Sequence, residues 1–313
     1  MGDRLPRQSL HTMCFAAAGL QTTWGITRLR VPPLWWQGLS GRGVRVAHLD
    51  TGVSTRHRAL SKALAAFAEF DLDGQPVAGA RSPHDSGEHG THTAGTIAAR
   101  ASHGKAVGVA PGAELASAIV IEGGNVAARL RSGIDWAIRM KSKVISMSVG
   151  LRDWTDALVP VIRLARKNGM LVVAAVGDEG PDASLSPGNY ENVLSVGACD
   201  QENLVPWFSS SESFDRPRNP TVPTVLAPGT QVISTAPSGG YQAMAGSSMA
   251  AAHIAGLAAL LWEARPHASE EEIENAIVQS STLPKSVPSQ RGNFGIPDAV
   301  IALKLLTGIN CDA

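Results

Sequence analysis

Short apolar runs alternate along this chain with longer amphipathic stretches, and the alternation sets the first expectation about its fold. Val44-Arg45-Val46-Ala47-His48-Leu49 is mostly apolar and lies between Gly43 and Gly52, which suits a buried strand ending in a turn. Residues 113–121, 144–149, 170–176 and 193–198 read the same way. Between them, 127–141 carries Leu130, Ile134, Ala137 and Ile138 at helical spacing, and 155–168 reads as a second helix ending near Gly169. Residues 254–261 are apolar almost all round, so a helix there must be central. Glu270, Glu271 and Glu272 crowd the first turn of a charged amphipathic helix over 269–280, where the helix dipole favours them. Strands alternating with helices in this way predict an α/β fold, a mainly parallel sheet flanked by helices on both faces. The polar stretch 209–223, with Pro217 and Pro220, reads as a surface loop, and Trp35 and Trp36 as core or docking residues.

Composition narrows the picture. With 313 residues and 44% hydrophobic content, the chain suffices for one large domain with a sizeable core. Its formal net charge of zero gives no electrostatic footprint for nucleic acid or an anionic membrane, and neither is expected as a partner. The apolar run 13–20 is short and broken by Gly19, a weak candidate for a signal segment, and elsewhere no apolar stretch reaches the length of about 18 residues that a membrane span needs. Cys14, Cys199 and Cys311 cannot all pair within one chain and lack metal-ligand spacing. Cys199 reads as a small buried hydrophobe, and reduced thiols fit a cytoplasmic protein.

Three polar blocks interrupt the apolar pattern: VAHLDTG around Asp50, EHGTHTAGT around His89 and AGSSMAAAH around Ser248. Asp50 falls at the carboxyl end of a predicted strand, where open α/β sheets place functional groups. Alone it reads first as an aspartate of a turn or helix cap. His89 and His92 share a helix face, a spacing that suits a metal pair, but no HExxH pattern or cysteine cluster accompanies them and no metal is expected. Ser248 opens the all-apolar helix, where unpaired N–H groups and the positive dipole end can stabilise an oxyanion, or where it is a plain N-cap. Together the blocks read as a serine hydrolase: a serine hydroxyl needs an imidazole to take its proton and a carboxylate to fix the imidazole tautomer.

On these blocks the chain resembles the subtilisin-like serine proteases. Asp50-Thr51-Gly52, His89-Gly90-Thr91-His92 and Gly246-Ser247-Ser248-Met249-Ala250 match the three signatures of that family, in its order Asp, His, Ser. Trp24-Gly25-Ile26, Gly108 to Pro111, Val144 to Gly150 and Val172 to Gly177 are similar to further landmarks, so the likeness spans Trp24 to about Leu305. It implies Ser248 as nucleophile, His89 as general base and Asp50 as the group orienting it. Ser148, Val149, Gly150, Ala175 and Gly177 are implied to line the pocket for the residue before the cleaved bond. The implied partner is a protein or peptide substrate, with no cofactor, and the implied division is a short extension over 1–23 and a peptidase domain over 24–313. Too few residues precede Trp24 for the folding prodomain of secreted members, so a cytoplasmic form is expected, the alternative being a secreted form whose prodomain is absent from this chain.

Two departures from the family pattern stand out. Asp178 replaces the asparagine whose amide donates into the oxyanion hole alongside the Ser248 backbone, and an ionised carboxylate there repels the developing charge. One branch of the proprotein convertases and the acid-active sedolisins also carry aspartate here, although sedolisins replace the histidine that this chain keeps as His89. The expectation is a slow or selective endopeptidase with an acid-shifted optimum. The alternatives are an impaired or zymogen-like binding module and a peptide-processing or cyclising enzyme, because one acyl-enzyme serves both hydrolysis and cyclisation. Glu122 to Asn125 and Glu179 are further candidates for setting specificity, Glu179 by favouring a basic residue. The second departure concerns calcium: Ala59 stands where an acidic ligand is implied, and Arg58, Arg100 and Lys105 add positive charge, so no calcium is expected there.

Overall fold

The computed structural model describes residues 20–77, 82–121 and 123–310. At its centre, seven strands form one sheet: β1 (Arg45–Asp50), β2 (Leu64–Glu69), β3 (Glu114–Ile119), β4 (Val144–Met147), β5 (Leu171–Ala175), β6 (Leu194–Cys199) and β7 (Val225–Pro228). Their order across the sheet is β7-β6-β5-β4-β1-β3-β2, and every pairing is parallel. Such a sheet must be covered on both faces, which is why its strands read as near-continuous apolar runs. Helices α1 (His89–Ala98), α4 (Ser247–Ala264), α5 (Glu270–Gln279) and α6 (Ala299–Thr307) cover one face, and α2 (Val126–Arg139) and α3 (Val159–Lys167) the other. An antiparallel pair, β8 (Val232–Thr235) and β9 (Tyr241–Met244), leads into α4.

Alternation along β1 decides which side chains meet which helices. Ala47 and Leu49 join the core beneath α2 and α3, whereas Val46 joins the core beneath α1 and α4. With a side-chain period of two, His48 and Asp50 follow Val46 onto the α1 and α4 face. Strand order reverses at β1: the chain runs outward to β2 and β3 and resumes beyond β1 at β4. The crevice that forms at such a reversal lies outside the carboxyl ends of β1 and β4, where Asp50 ends one strand and Ser148 follows the other.

Helix α4 is buried from Met249 through Trp262, as its all-apolar sequence requires. Trp35 is buried, with its Nε1 donating to the Val109 carbonyl at 2.9 Å, while Trp36 is exposed. Cys199 is buried, and burial pushes its thiol up to about 12. Cys14 and Cys311, the extension over 1–19 and Glu122 lie outside the described residues. Among the described residues no helix is long and apolar enough to cross a membrane.

Three expectations need correction. The helix expected over 155–168 starts only at Val159, because Pro160 has no N–H to donate and fits only the first turn. The stretch 209–223 is not simply a surface loop. Ser209, Ser210 and Ser211 are buried, and the Oγ atoms of Ser209 and Ser210 accept from Ala198 N and Glu179 N, each at 2.9 Å. Farther on, Glu212–Ser213 pairs antiparallel with Thr221–Val222. Finally, β2 went unanticipated because its sequence, LAAFAE, is rich in alanine, a strong helix former.

Candidate active site

Asp50 ends β1 and His89 opens α1, and the two meet at 2.7 Å between Asp50 Oδ1 and His89 Nδ1. Oδ1 also accepts from Thr51 N at 2.7 Å, and Oδ2 from the Thr93 hydroxyl at 2.9 Å. A carboxylate only accepts, so His89 Nδ1 carries the hydrogen and Nε2 is the basic nitrogen. Burial alone raises the pKa of Asp50, which is 1% exposed, but His89 and His48 outweigh it and hold the carboxyl far below the usual carboxylate range. Burial lowers the basicity of His89, whereas the charge and hydrogen bond of Asp50, with help from Asp85 and Asp178, raise it above the ordinary histidine value.

Thr51 and Asp85 fix the start of α1. The Thr51 hydroxyl donates to Asp85 Oδ1 at 2.6 Å and accepts from Gly90 N at 2.9 Å. Asp85 Oδ2 accepts from Thr91 N at 2.6 Å and from the Thr91 hydroxyl at 2.5 Å. These bonds satisfy first-turn N–H groups that have no partner within the helix and place a negative charge at the positive dipole end. The approach is so close that a Cβ on Gly90 would lie 2.1 Å from the Gly52 carbonyl oxygen, so only glycine fits.

Ser248, half-buried, sits in the first turn of α4. Its Oγ donates to the Ser148 carbonyl at 3.4 Å, while Ser148 Oγ donates to the Ser248 carbonyl at 3.1 Å, tying the segment after β4 to the helix start. Asp178 approaches the same turn: its Oδ1 accepts from Ser247 N at 2.8 Å, and Gly177 N donates to Ser247 Oγ at 3.2 Å. Gly246, at φ 153°, is required there, because a Cβ would lie 2.9 Å from Asp178 Oδ2. Asp178 is exposed on one side. The protein packed around the rest of its carboxyl pushes its pKa up, against the hydrogen bonds from Ser247 and the attraction of His89, and neighbouring Glu179 adds to the rise. Val149 and Gly150 are half-buried beside buried Ser148, and Ala175 and Gly177 are buried on the adjoining segment. The expected site residues therefore collect at one edge of the sheet.

His92 lies elsewhere. It is fully buried, its Nε2 meets the Val232 carbonyl at 2.9 Å, and burial pushes it down to about 4. Among the described residues no three histidine, cysteine or acidic side chains gather as a metal site. The segments at which calcium is implied do not fit a cation. Ala59 is buried with its carbonyl already accepting from Arg100 N at 2.9 Å, and the Arg100 guanidinium donates to the Lys62 carbonyl at 2.9 Å. Pattern reading passes over Asp85, Thr93 and His48. Asp85 has a signal, an acidic residue just ahead of a helix start, and His48 has another, a polar residue in step with Asp50 in an apolar strand.

Comparison with known proteins shows the family. A model of the subtilase family matches residues 41–297. Subtilisin BL from Lederbergia lenta is 36% identical over 262 residues, covering 83% of this chain and 91% of that protein. M-protease from Shouchella clausii (strain KSM-K16) is 36% identical over 83% of this chain and 64% of its own length. Subtilisin E from Bacillus subtilis (strain 168) is 35% identical over 83% of this chain and 66% of its own length. With a family match over residues 41–297 and 36% identity to a subtilisin across 83% of its length, the chain belongs to the subtilase family, the subtilisin-like serine proteases.

Proposed function

We propose that the chain is an endopeptidase that cleaves proteins or peptides through Ser248, His89 and Asp50, with Asp178 working as a neutral acid in the oxyanion hole. The observation that carries the reading is the 2.7 Å bond between Asp50 and His89, with Asp178 acting on the charge of His89 and bonded to the first turn of the buried helix that holds Ser248. Ser248 Oγ attacks the scissile carbonyl, and His89 Nε2 takes its proton and passes it to the leaving amine. Asp50 holds the imidazole in its Nδ1–H form and stabilises the imidazolium. Water, activated by His89, then releases the acyl group from Ser248. Ser148, Val149 and Gly150 on one side, and Ala175 and Gly177 on the other, flank the residue that supplies that acyl group. In this reading residues 24–313 act as one peptidase domain.

The developing oxyanion needs donors, and the Ser248 backbone N–H is one. Asp178 supplies the second only when protonated, and the proton belongs on Oδ2 because Oδ1 already accepts from Ser247 N. Substrate covering the open side of Asp178 removes water from the carboxyl and favours that neutral form further. Activity therefore requires Asp178 protonated while His89 is neutral. Both groups have raised pKa values, and each negative charge near His89 raises it more. Only a fraction of the molecules hold both states at once, so this reading predicts a slow enzyme working toward acid pH.

Covalent labelling by a fluorophosphonate from pH 4 to 9 tests the proposal. The expected result is labelling of the native chain, none of Ser248→Ala, and stronger labelling of Asp178→Asn at neutral pH. No labelling of the native chain at any pH overturns it in favour of a non-catalytic module.

A further inference from the structure

We propose that His48 is a positioning residue for Asp50, acting through Thr93 by a one-way chain of hydrogen-bond donors that starts at Ser117. The inference rests on the triad reading above and extends it by one tier. Along β1, His48 stands one repeat behind Asp50 on the same face; along α1, Thr93 stands one turn behind His89. Strand and helix therefore meet twice, at Asp50–His89 and again at His48–Thr93, where His48 Nε2 lies 2.9 Å from Thr93 Oγ1. His48 Nδ1 lies 2.9 Å from the hydroxyl of Ser117, its register partner on β3. His48 is 1% exposed, and Thr93 and Ser117 are fully buried. Apolar side chains fill such an interior without desolvation cost, so a buried imidazole with both nitrogens engaged calls for a reason.

Hydrogen accounting gives the chain its direction. Thr93 has one hydroxyl hydrogen and four groups in range that can accept it: Asp50 Oδ2 and His48 Nε2, each at 2.9 Å, and the His89 and Gly90 carbonyls, each at 3.2 Å. Asp50 is the only charged acceptor among them, so the hydrogen goes there. Thr93 Oγ1 is then the acceptor in its bond to His48, which makes Nε2–H the donor and leaves Nδ1 to accept from Ser117 Oγ–H. Every hydrogen from Ser117 through His48 and Thr93 thus points toward Asp50, and His48 Nε2 itself lies 3.5 Å from Oδ2. Donors in series polarise one another. Oδ2 is held by Thr93 and Oδ1 is kept for His89, so the carboxylate cannot swing away from the imidazole.

The test compares Thr93→Val, Thr93→Ser, His48→Val and the double valine variant, measuring kcat and KM of unlabelled enzyme on a peptide substrate from pH 5 to 9, once a separate sample of the native chain has taken the fluorophosphonate label. The other titratable groups that act on His89 are Asp50, Asp85, Asp178 and His92, which stay unchanged in all four. Thr93→Val is expected to lower kcat about tenfold, as loss of an outer-shell partner does elsewhere. KM stays nearly unchanged, and the acid limb moves to higher pH, because an uncompensated Asp50 holds the His89 proton more tightly. Thr93→Ser restores both; His48→Val shifts both in the same direction by less; the double variant is no worse than Thr93→Val, since the chain is already cut at Thr93. Variants that lose thermal stability yet keep native kcat and acid limb overturn the inference, as do losses that multiply in the double variant. If His48→Val does not fold, the Thr93 pair decides alone. A native chain that takes no label sinks the triad reading and this inference with it, whereas a labelled chain indifferent to Thr93 sinks this inference only.

Discussion

Asp178 and His89 titrate against each other, and one atom separates the two chemistries of position 178. Asp178→Asn supplies a permanent donor and removes a negative charge near His89, so kcat/KM at pH 8 should rise on the order of 10²-fold and the acid limb should move to lower pH. A pH–rate profile of the variant reads both effects, and an unchanged profile would leave Asp178 without a catalytic part. Gly90 offers the opposite experiment. A methyl there collides with the Gly52 carbonyl and displaces the start of α1, so Gly90→Ala should lower kcat/KM by about 10²-fold or more, as ångström-scale misplacement of a catalytic group does. At this scale Asp50, His89 and Ser248 stand out in the sequence as candidates because each sits in a block of small and polar residues that the apolar pattern does not explain. Thr93 and His48 do not, because their meaning depends on α1 crossing β1 in register, which no local window contains.

The elements that carry these groups differ in how they are held. Helix α5 is secured locally: Ser269 Oγ accepts from Glu272 N at 3.1 Å, and the Glu272 carboxylate accepts from Ser269 N at 2.8 Å, a complete capping box. Ser269→Ala should destabilise the fold by about 1 kcal/mol, measured as a lower Tm, with labelling of Ser248 unaffected. The segments around Ala59 and Arg100 are secured by protein groups where a cation does not fit, so a calcium chelator should leave both Tm and labelling unchanged; a large drop in Tm would mean that an ion is held after all. The start of α5 was readable from its charged first turn, whereas the sequence begins α3 too early, because Thr155 and Asp156 resemble a helix start while Pro160 sets the actual one. The burial of Ser209 to Ser211 was unreadable, since serines bonded to buried backbone look like loop serines until their partners are known.

Across the whole molecule, acid has two opposing effects. His92 and His253 are buried and pushed down to about 4, so the fold keeps them neutral while an unfolded chain protonates them near 6.5. Their stabilisation is complete above pH 6.5 and is lost as the pH falls toward 4, on the order of 5 kcal/mol for the pair. His89, with its raised pKa, returns part of that. Scanning calorimetry of Ser248→Ala, which cannot digest itself, should therefore show Tm falling by about 10 °C between pH 7 and 4. The acid that favours a protonated Asp178 thus also loosens the fold. The overall architecture was legible because a parallel sheet buried on both faces writes itself as apolar runs, while the compartment was not: Cys199 is packed like any apolar side chain and carries no redox information. One last consequence follows from α4, whose burial runs from Met249 to Trp262 directly behind Ser248. Asp50 and His89 come from an early part of the chain, but Ser248, the proposed nucleophile, is put in place only when this late helix docks and closes the core. A copy whose helix has not docked holds the proposed base without the nucleophile, so a chain gains cutting activity only once its own core is closed.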